Sequence, residues 1–182
     1  MTKLAVIAAI GGMSQAALAD GGVINFTGSI TDSICSVAPE SQNMTVPLGD
    51  VSIKVFPTVG TRAPTPGKFT INLKDCPAGA AKAKVTFTGT PDPDNATLLK
   101  TNNAGSGVLA AQGVGIEIGD FAGTKIDLAS ASGEYQLGQG DNNLKFEARY
   151  VSTLPVAPVA PSTRKIAPGE ASGTAQFTVA YN

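Results

Sequence analysis

The residues of this 182-residue chain that could do chemistry are few and scattered. Histidine is absent, which removes Ser-His and Cys-His nucleophile pairs and the commonest transition-metal ligand. Glu117, Asp120, Glu134 and Glu147 are spread along the chain with no acid/base spacing. Glu147 and Arg149 share the polar parity of one alternating segment and read as a solvated surface pair. Gly113-Val114-Gly115 resembles the start of a dinucleotide loop, but the third glycine and a surrounding βαβ unit are missing. Asp92, Asp94 and Asn95 suggest a calcium loop, yet Thr97 stands where its glycine belongs and Asn103 where its closing glutamate belongs. They are better read as turn formers. We therefore expect no enzyme, no metal and no cofactor.

Cys35 and Cys76 remain, and their meaning depends on compartment. Met1 to Ala19 reads as a signal peptide: Lys3, an apolar run from Leu4 to Ile10, and small residues at Ala17 and Ala19 before the cleavage point. In an exported chain an even cysteine pair forms a disulfide. A metal site would need two further ligands, and neither a CxxC nor a histidine is present. Closing this loop would stabilise the fold by roughly 4 kcal/mol on the chain-entropy model.

The elements that position these residues are short strands. Net charge is −1 without a basic run, which argues against nucleic acid. Lys68–Cys76 alternates with Phe69, Ile71 and Leu73 inward, and Lys82–Thr88 with Ala83, Val85 and Phe87 inward. Asn143–Ser152 points Leu144, Phe146, Ala148 and Tyr150 one way. Thr45–Val55 reads as two short strands broken at Gly49-Asp50. Val108–Ile118, Lys125–Leu128 and Tyr135–Leu137 read as further strands. The prolines of Leu154–Pro168 mark a surface loop. Seven to nine short strands and no useful helical period describe an all-β, antiparallel sandwich of immunoglobulin type.

The last strand is the unusual one. From Ala171 onward, Gly173, Ala175, Phe177, Val179 and Tyr181 share one parity, and the sequence stops one residue later. A final strand with a strong apolar face leaves an edge for something else to cover, unless it is paired within its own domain.

Four stretches together resemble the chaperone–usher fimbrial subunits of the type 1 and P pilus kind. They are GGVINFTGSITDSIC at 21–35, the cysteine pair with NLKDC at 72–76, QGVGIEIGD at 112–120, and LKFEARYVST at 144–153 followed by the terminal GTAQFTVAYN. Their order and spacing carry the likeness across the whole mature chain. The resemblance implies an incomplete immunoglobulin-like β-sandwich that lacks its final strand and is completed by a donor strand, a mode of β-augmentation.

It further implies a signal peptide at 1–19, an N-terminal donor-strand extension at 20–30 and a pilin domain at 31–182. The donor residues would be Gly22, Ile24, Phe26 and Gly28. The acceptor groove and chaperone-binding strand would hold Gly169, Ala175, Phe177, Val179, Tyr181 and Asn182, whose terminal carboxylate anchors in the chaperone cleft. Burying Ile24 and Phe26 would contribute roughly 1.5–3 kcal/mol each. The implied partners are neighbouring subunits in a homopolymer, a periplasmic chaperone, an outer-membrane usher and a possible host receptor, with export through the periplasm to the surface fimbrium. The alternatives are a minor adaptor or single-domain adhesive subunit, or an exported ligand-binding β-sandwich.

Overall fold

The two strongest alternating segments become the two longest strands and lie side by side at the centre of the larger sheet. A computed structural model describes residues 35–80, 82–105 and 107–181. The expected signal peptide, the donor extension with Gly22, Ile24, Phe26 and Gly28, and the terminal Asn182 lie outside the described residues. The strands are β1 Ser36–Val37, β2 Gly67–Cys76, β3 Lys82–Gly89, β4 Leu99–Lys100, β5 Val114–Asp120, β6 Lys125–Ile126, β7 Tyr135–Gln136, β8 Gly140–Ser152 and β9 Ala175–Tyr181. One sheet runs β1-β2-β8-β5-β4, with β6 also on β5, and the other runs β7-β3-β9. All the strand pairings are antiparallel.

The core forms where the inward parities of the two sheets meet. Ile71, Leu73, Ala83, Val85, Phe87, Leu144 and Phe146 are all buried, as alternation requires of a two-layer sandwich. Phe69, Phe87 and Phe146 pack edge and face at ring separations of 5.1–6.0 Å, in the offset and T-shaped arrangements that ring quadrupoles favour. Cys35 and Cys76 are joined by a disulfide, which ties the start of β1 to the end of β2.

Three expectations need correction. Thr45–Val55 makes no strand: residues 43–52 are without a ladder, and Ile53–Val55 is a single 3₁₀ turn capped by the Ser52 hydroxyl. Its alternation is real, but Pro47 offers no N–H, and among the described residues no strand pairs with it, although Gly67 of β2 packs closely on Val46, Pro47 and Leu48. Of Val108–Ile118 only the part from Val114 is strand, continuing to Asp120.

Glu147 and Arg149 are also not a solvated pair. Arg149 Nη2 donates to Glu147 Oε1, and their side chains are 19% and 8% exposed, Arg149 the more open. Beside them Arg62 forks onto Glu117, at 2.8 Å from Nε and 3.1 Å from Nη2. Glu117 faces Arg149 across the β5–β8 ladder, so the charges alternate in sign along a covered stretch of sheet.

The proline-rich stretch is a loop, held back on the body. Arg164 reaches Asp94 with two hydrogen bonds of 2.5 and 2.7 Å. Ile166 within it is buried against Phe56, Ala63 and Val114. Asp92 acts as a turn former, its Oδ1 accepting from the N–H groups of Asp94 and Asn95. Among the described residues no cluster of metal-ligating side chains occurs.

Candidate functional site

The site is built on β9, which pairs with β3 over the full register from Ala83↔Tyr181 to Gly89↔Ala175 and with no other strand among the described residues. The direction of its backbone groups follows from β3. Ala129 N–H donates to Phe87 O (2.7 Å), Ser132 N–H donates to Val85 O (2.8 Å), and Val85 N–H donates to the Ser132 hydroxyl (2.9 Å). Val85 and Phe87 thus point their polar groups away from β9. Lys84, Thr86 and Thr88 must point theirs toward it, because both groups of a residue leave a strand on the same side. Their partners Ala180, Thr178 and Gln176 are spent on that ladder. The N–H and C=O of Phe177 and Val179 therefore point to the open edge.

Side chains follow the same parity. Phe177, Val179 and Tyr181 are half-buried and pack on the core, whereas Gln176, Thr178 and Ala180 are exposed. β9 is an edge strand whose apolar face is incompletely covered.

Beside this edge runs a long groove in two parts. The first cleft, about 740 Å³, lies between β9 and the unpaired segment carrying Met44, Val46 and Leu48. Its floor includes Phe69, Leu99 and Ile116, and among the described residues no ionisable side chain lines it. The second cleft, about 610 Å³, continues between residues 49–56 and 166–172. Asp50, Tyr150 and Glu170 line it. The Tyr150 hydroxyl donates to Ala171 O at 2.7 Å. Burial and then the negative charge of Asp50 push the Tyr150 phenol above its ordinary pKa.

The wall between β9 and the proline-rich loop is stitched to a different partner, through the bridges Asn102↔Ser172, Ala110↔Glu170 and Gln112↔Ala167. Two glycines permit this. A Cβ on Gly169 would stand 2.4 Å from Leu109 O and 2.6 Å from Ala111 N, and one on Gly173 would stand 2.7 Å from Ile116 Cδ1. At the other end, the Tyr181 hydroxyl donates to Cys35 O at 3.2 Å, and burial raises the pKa of that phenol.

The expected acceptor residues thus divide between two places. Ala175 and Phe177 line the first cleft, Gly169 lines the second, and Val179 and Tyr181 continue the β9 face toward the disulfide. Gly173, Met44, Val46 and Leu48 also line the first cleft, although the sequence assigned none of them to a groove. The signal for the last three was their alternation, which marks a cleft wall here instead of a paired strand.

Residues 24–182 match the family model described as "Fimbrial protein". The chain is 38% identical over 152 residues to the "Probable major fimbrial subunit LpfA" of Escherichia coli O157:H7, covering 83% of each. In structure it is similar to the antigen and type I fimbria protein of Burkholderia pseudomallei, with a TM-score of 0.57, 31% identity, and coverage of 83% of this chain and 91% of that one. It shares the fold of the P pilus rod subunit PapA with a TM-score of 0.62 at 22% identity, covering 82% of this chain and 100% of that one.

Proposed function

Because the chain belongs to the fimbrial protein family, we propose that its copies join by donor-strand exchange, the groove of one subunit receiving the N-terminal extension of the next. As a family member it is a non-catalytic structural subunit of a surface fimbria. The observation that carries the joining mechanism is the edge of β9, where the backbone groups of Phe177 and Val179 point away from β3 and meet no strand among the described residues, beside an apolar cleft. An inserted strand satisfies those groups and covers the half-buried face in one step, as in β-augmentation generally. Gly22, Ile24, Phe26 and Gly28 are the donor residues in this reading. Ala175, Phe177, Val179 and Tyr181, with Gly169 in the adjoining cleft, are the acceptors.

A periplasmic chaperone lends a strand to the same groove during export and holds the carboxylate of Asn182, and an outer-membrane usher exchanges chaperone for subunit. A host receptor would be met by the assembled fibre. The Cys35–Cys76 pair fits an oxidising export route.

The test is electron microscopy of cells expressing the whole fimbrial operon with this gene intact, deleted, or carrying Ile24→Asp or Phe26→Asp. Deletion should abolish long fibres. Each aspartate should block assembly while leaving chaperone binding intact, because it places a charge in an apolar cleft only after strand insertion. Normal fibres from both aspartate variants would refute the mechanism.

A further inference from the structure

The outer face of the larger sheet carries unpaired charge of opposite sign at its two ends. At one end Phe121, in the turn after β5, is 55% exposed. The ammonium groups of Lys68 on β2 and Lys145 on β8 lie 5.1 and 5.4 Å from its ring centre, within cation–π range. Among the described residues neither lysine pairs with a carboxylate. At the other end, beside the disulfide, Lys74 binds Asp141 at 2.5 Å. Exposed Asp75 and exposed Glu40, the latter next to Asn72, form no ion pair among the described residues. The hydrogen bond and charge of Asp141 first, and the charges of Glu40 and Asp75 after, raise the Lys74 pKa above its ordinary value. Between the two ends stand Thr70, Asn72 and Asn143, polar and uncharged.

We propose that this face docks on the same face of a second copy of the chain across a two-fold axis, and that the contact joins fibres side by side.

The ladder sets the register of the contact. Asn72 and Asn143 oppose one another in the β2–β8 pairing. Turning a second copy about that rung carries its Asp141 over Lys145, each two residues from Asn143. The same turn carries its Asp75 over Lys68, three and four residues from Asn72. A two-fold contact makes each pairing twice. Two faces laid in the same direction would set lysines on lysines, which repel. Offsetting them by the length from Lys68 to Lys74, about 20 Å at the strand rise, would engage only one end of each.

A face about 20 Å long and two strands wide falls far short of the roughly 1,200 Å² that a stable complex buries. Isolated subunits therefore stay apart, and the contact acts by repetition along a fibre. On the strand-donation reading above, each step along one fibre also translates, so no two of its subunits are related by a two-fold. The partner copy therefore belongs to another fibre.

The experiment compares fibres of full-length subunits: wild type, a basic-end variant (Lys68→Glu with Lys145→Glu) and an acidic-end variant (Glu40→Lys with Asp75→Lys). Bundling is read by low-speed sedimentation and electron microscopy. Wild-type fibres should bundle at about 0.05 M salt and separate near 1 M, where the screening length falls to about 3 Å. Each variant alone should lower the sedimented fraction about tenfold through like-charge faces, with the subunit's thermal unfolding unchanged. Mixing the two variant fibres should restore bundles. Wild-type fibres that stay separate at low salt, or variants that bundle as wild type does, would overturn the docking. So would a mixture that stays separate, which would assign the charges to a partner other than this chain, such as an anionic glycan. Fibres carrying Asn143→Cys should, when oxidised as bundles, form a disulfide between the two copies of residue 143; bundles without it would overturn the two-fold arrangement. Strand donation is read separately, from the fibres of Ile24→Asp and Phe26→Asp, whatever the bundles do.

Discussion

Replacing one residue of β9 by proline, at two adjacent positions in turn, separates its two edges. Proline removes a backbone N–H and is tolerated in a sheet only where that N–H faces outward from an edge strand. Hydrogen bonds to Val85 and Phe87 put the N–H of Val179 on the open side and that of Thr178 in the β3 ladder.

In Val179→Pro the isolated subunit should keep its fold and lose about 1 kcal/mol of side-chain packing. When a strand enters, one of its carbonyls finds no donor inside a covered groove. That omission costs about 1–3 kcal/mol, equivalent to roughly 5- to 150-fold weaker capture. In Thr178→Pro the ladder to β3 is broken and the terminal strand should detach even without a partner. The assay is thermal unfolding of the purified subunit with and without excess synthetic peptide spanning residues 20–32, since a ligand of the folded state raises its apparent stability. Equal peptide-induced stabilisation of Val179→Pro and wild type would refute the assignment of the open edge. So would a Thr178→Pro subunit that folds and captures peptide normally.

Reducing the Cys35–Cys76 bond should lower stability by roughly 4 kcal/mol on the loop-closure model, read as a shift in denaturant midpoint with and without reductant; an unchanged midpoint would show that the bond does not constrain the unfolded chain. All three tyrosines titrate above their ordinary pKa. The Tyr135 phenol is pushed up to about 12, by burial first and by Asp120 second. Raised folded values mean that this share of stability is whole below the unfolded pKa near 10 and is lost as pH climbs toward about 12. Ultraviolet titration should therefore show tyrosinate in the folded protein only above the range of the denatured chain, and coincident curves would contradict it. Arg62→Ala should cost about 1–3 kcal/mol, because it strips the bidentate partner from the Glu117 carboxylate, which is 7% exposed. This is less than a fully buried pair would lose, since Arg62 itself is 45% exposed. Equilibrium unfolding checks it, and a loss below about 0.5 kcal/mol would mean that water already solvates Glu117.

Period-two alternation carried most of the fold. β2, β3 and β8 lie where Phe69-Ile71-Leu73, Ala83-Val85-Phe87 and Leu144-Phe146-Ala148 place them, because both sheets bury one face. The same signal misled at Val46 and Leu48, where alternation serves a cleft wall with no ladder. Periodicity reports which side chains share a face, and it is silent on whether a neighbour supplies hydrogen bonds. It is equally silent on whether the polar face is covered, which is why Glu147 was legible as outward-facing but not as buried. β4 escaped notice because two residues in a turn-rich stretch carry no period at all. The Tyr181–Cys35 contact joins residues far apart in the chain, and nothing local in either segment announces it. The open edge was legible only as a strong apolar parity in β9, at Phe177, Val179 and Tyr181, with no neighbouring segment in the sequence that announced itself as its second partner.

The contact between Tyr181 and Cys35 has a mechanical consequence. In a fibre joined by the proposed strand exchange, tension would enter each subunit at Cys35 and leave through β9. These two points adjoin, and the disulfide passes the load from Cys35 directly into β2. The pull on β9 acts along its length, so the seven residue pairs of its ladder with β3 are loaded together in shear and cannot be opened one at a time. Phe69 on β2 and Phe87 on β3 stand on the strands that take this load, and their packing on Phe146 links both to the centre of the larger sheet.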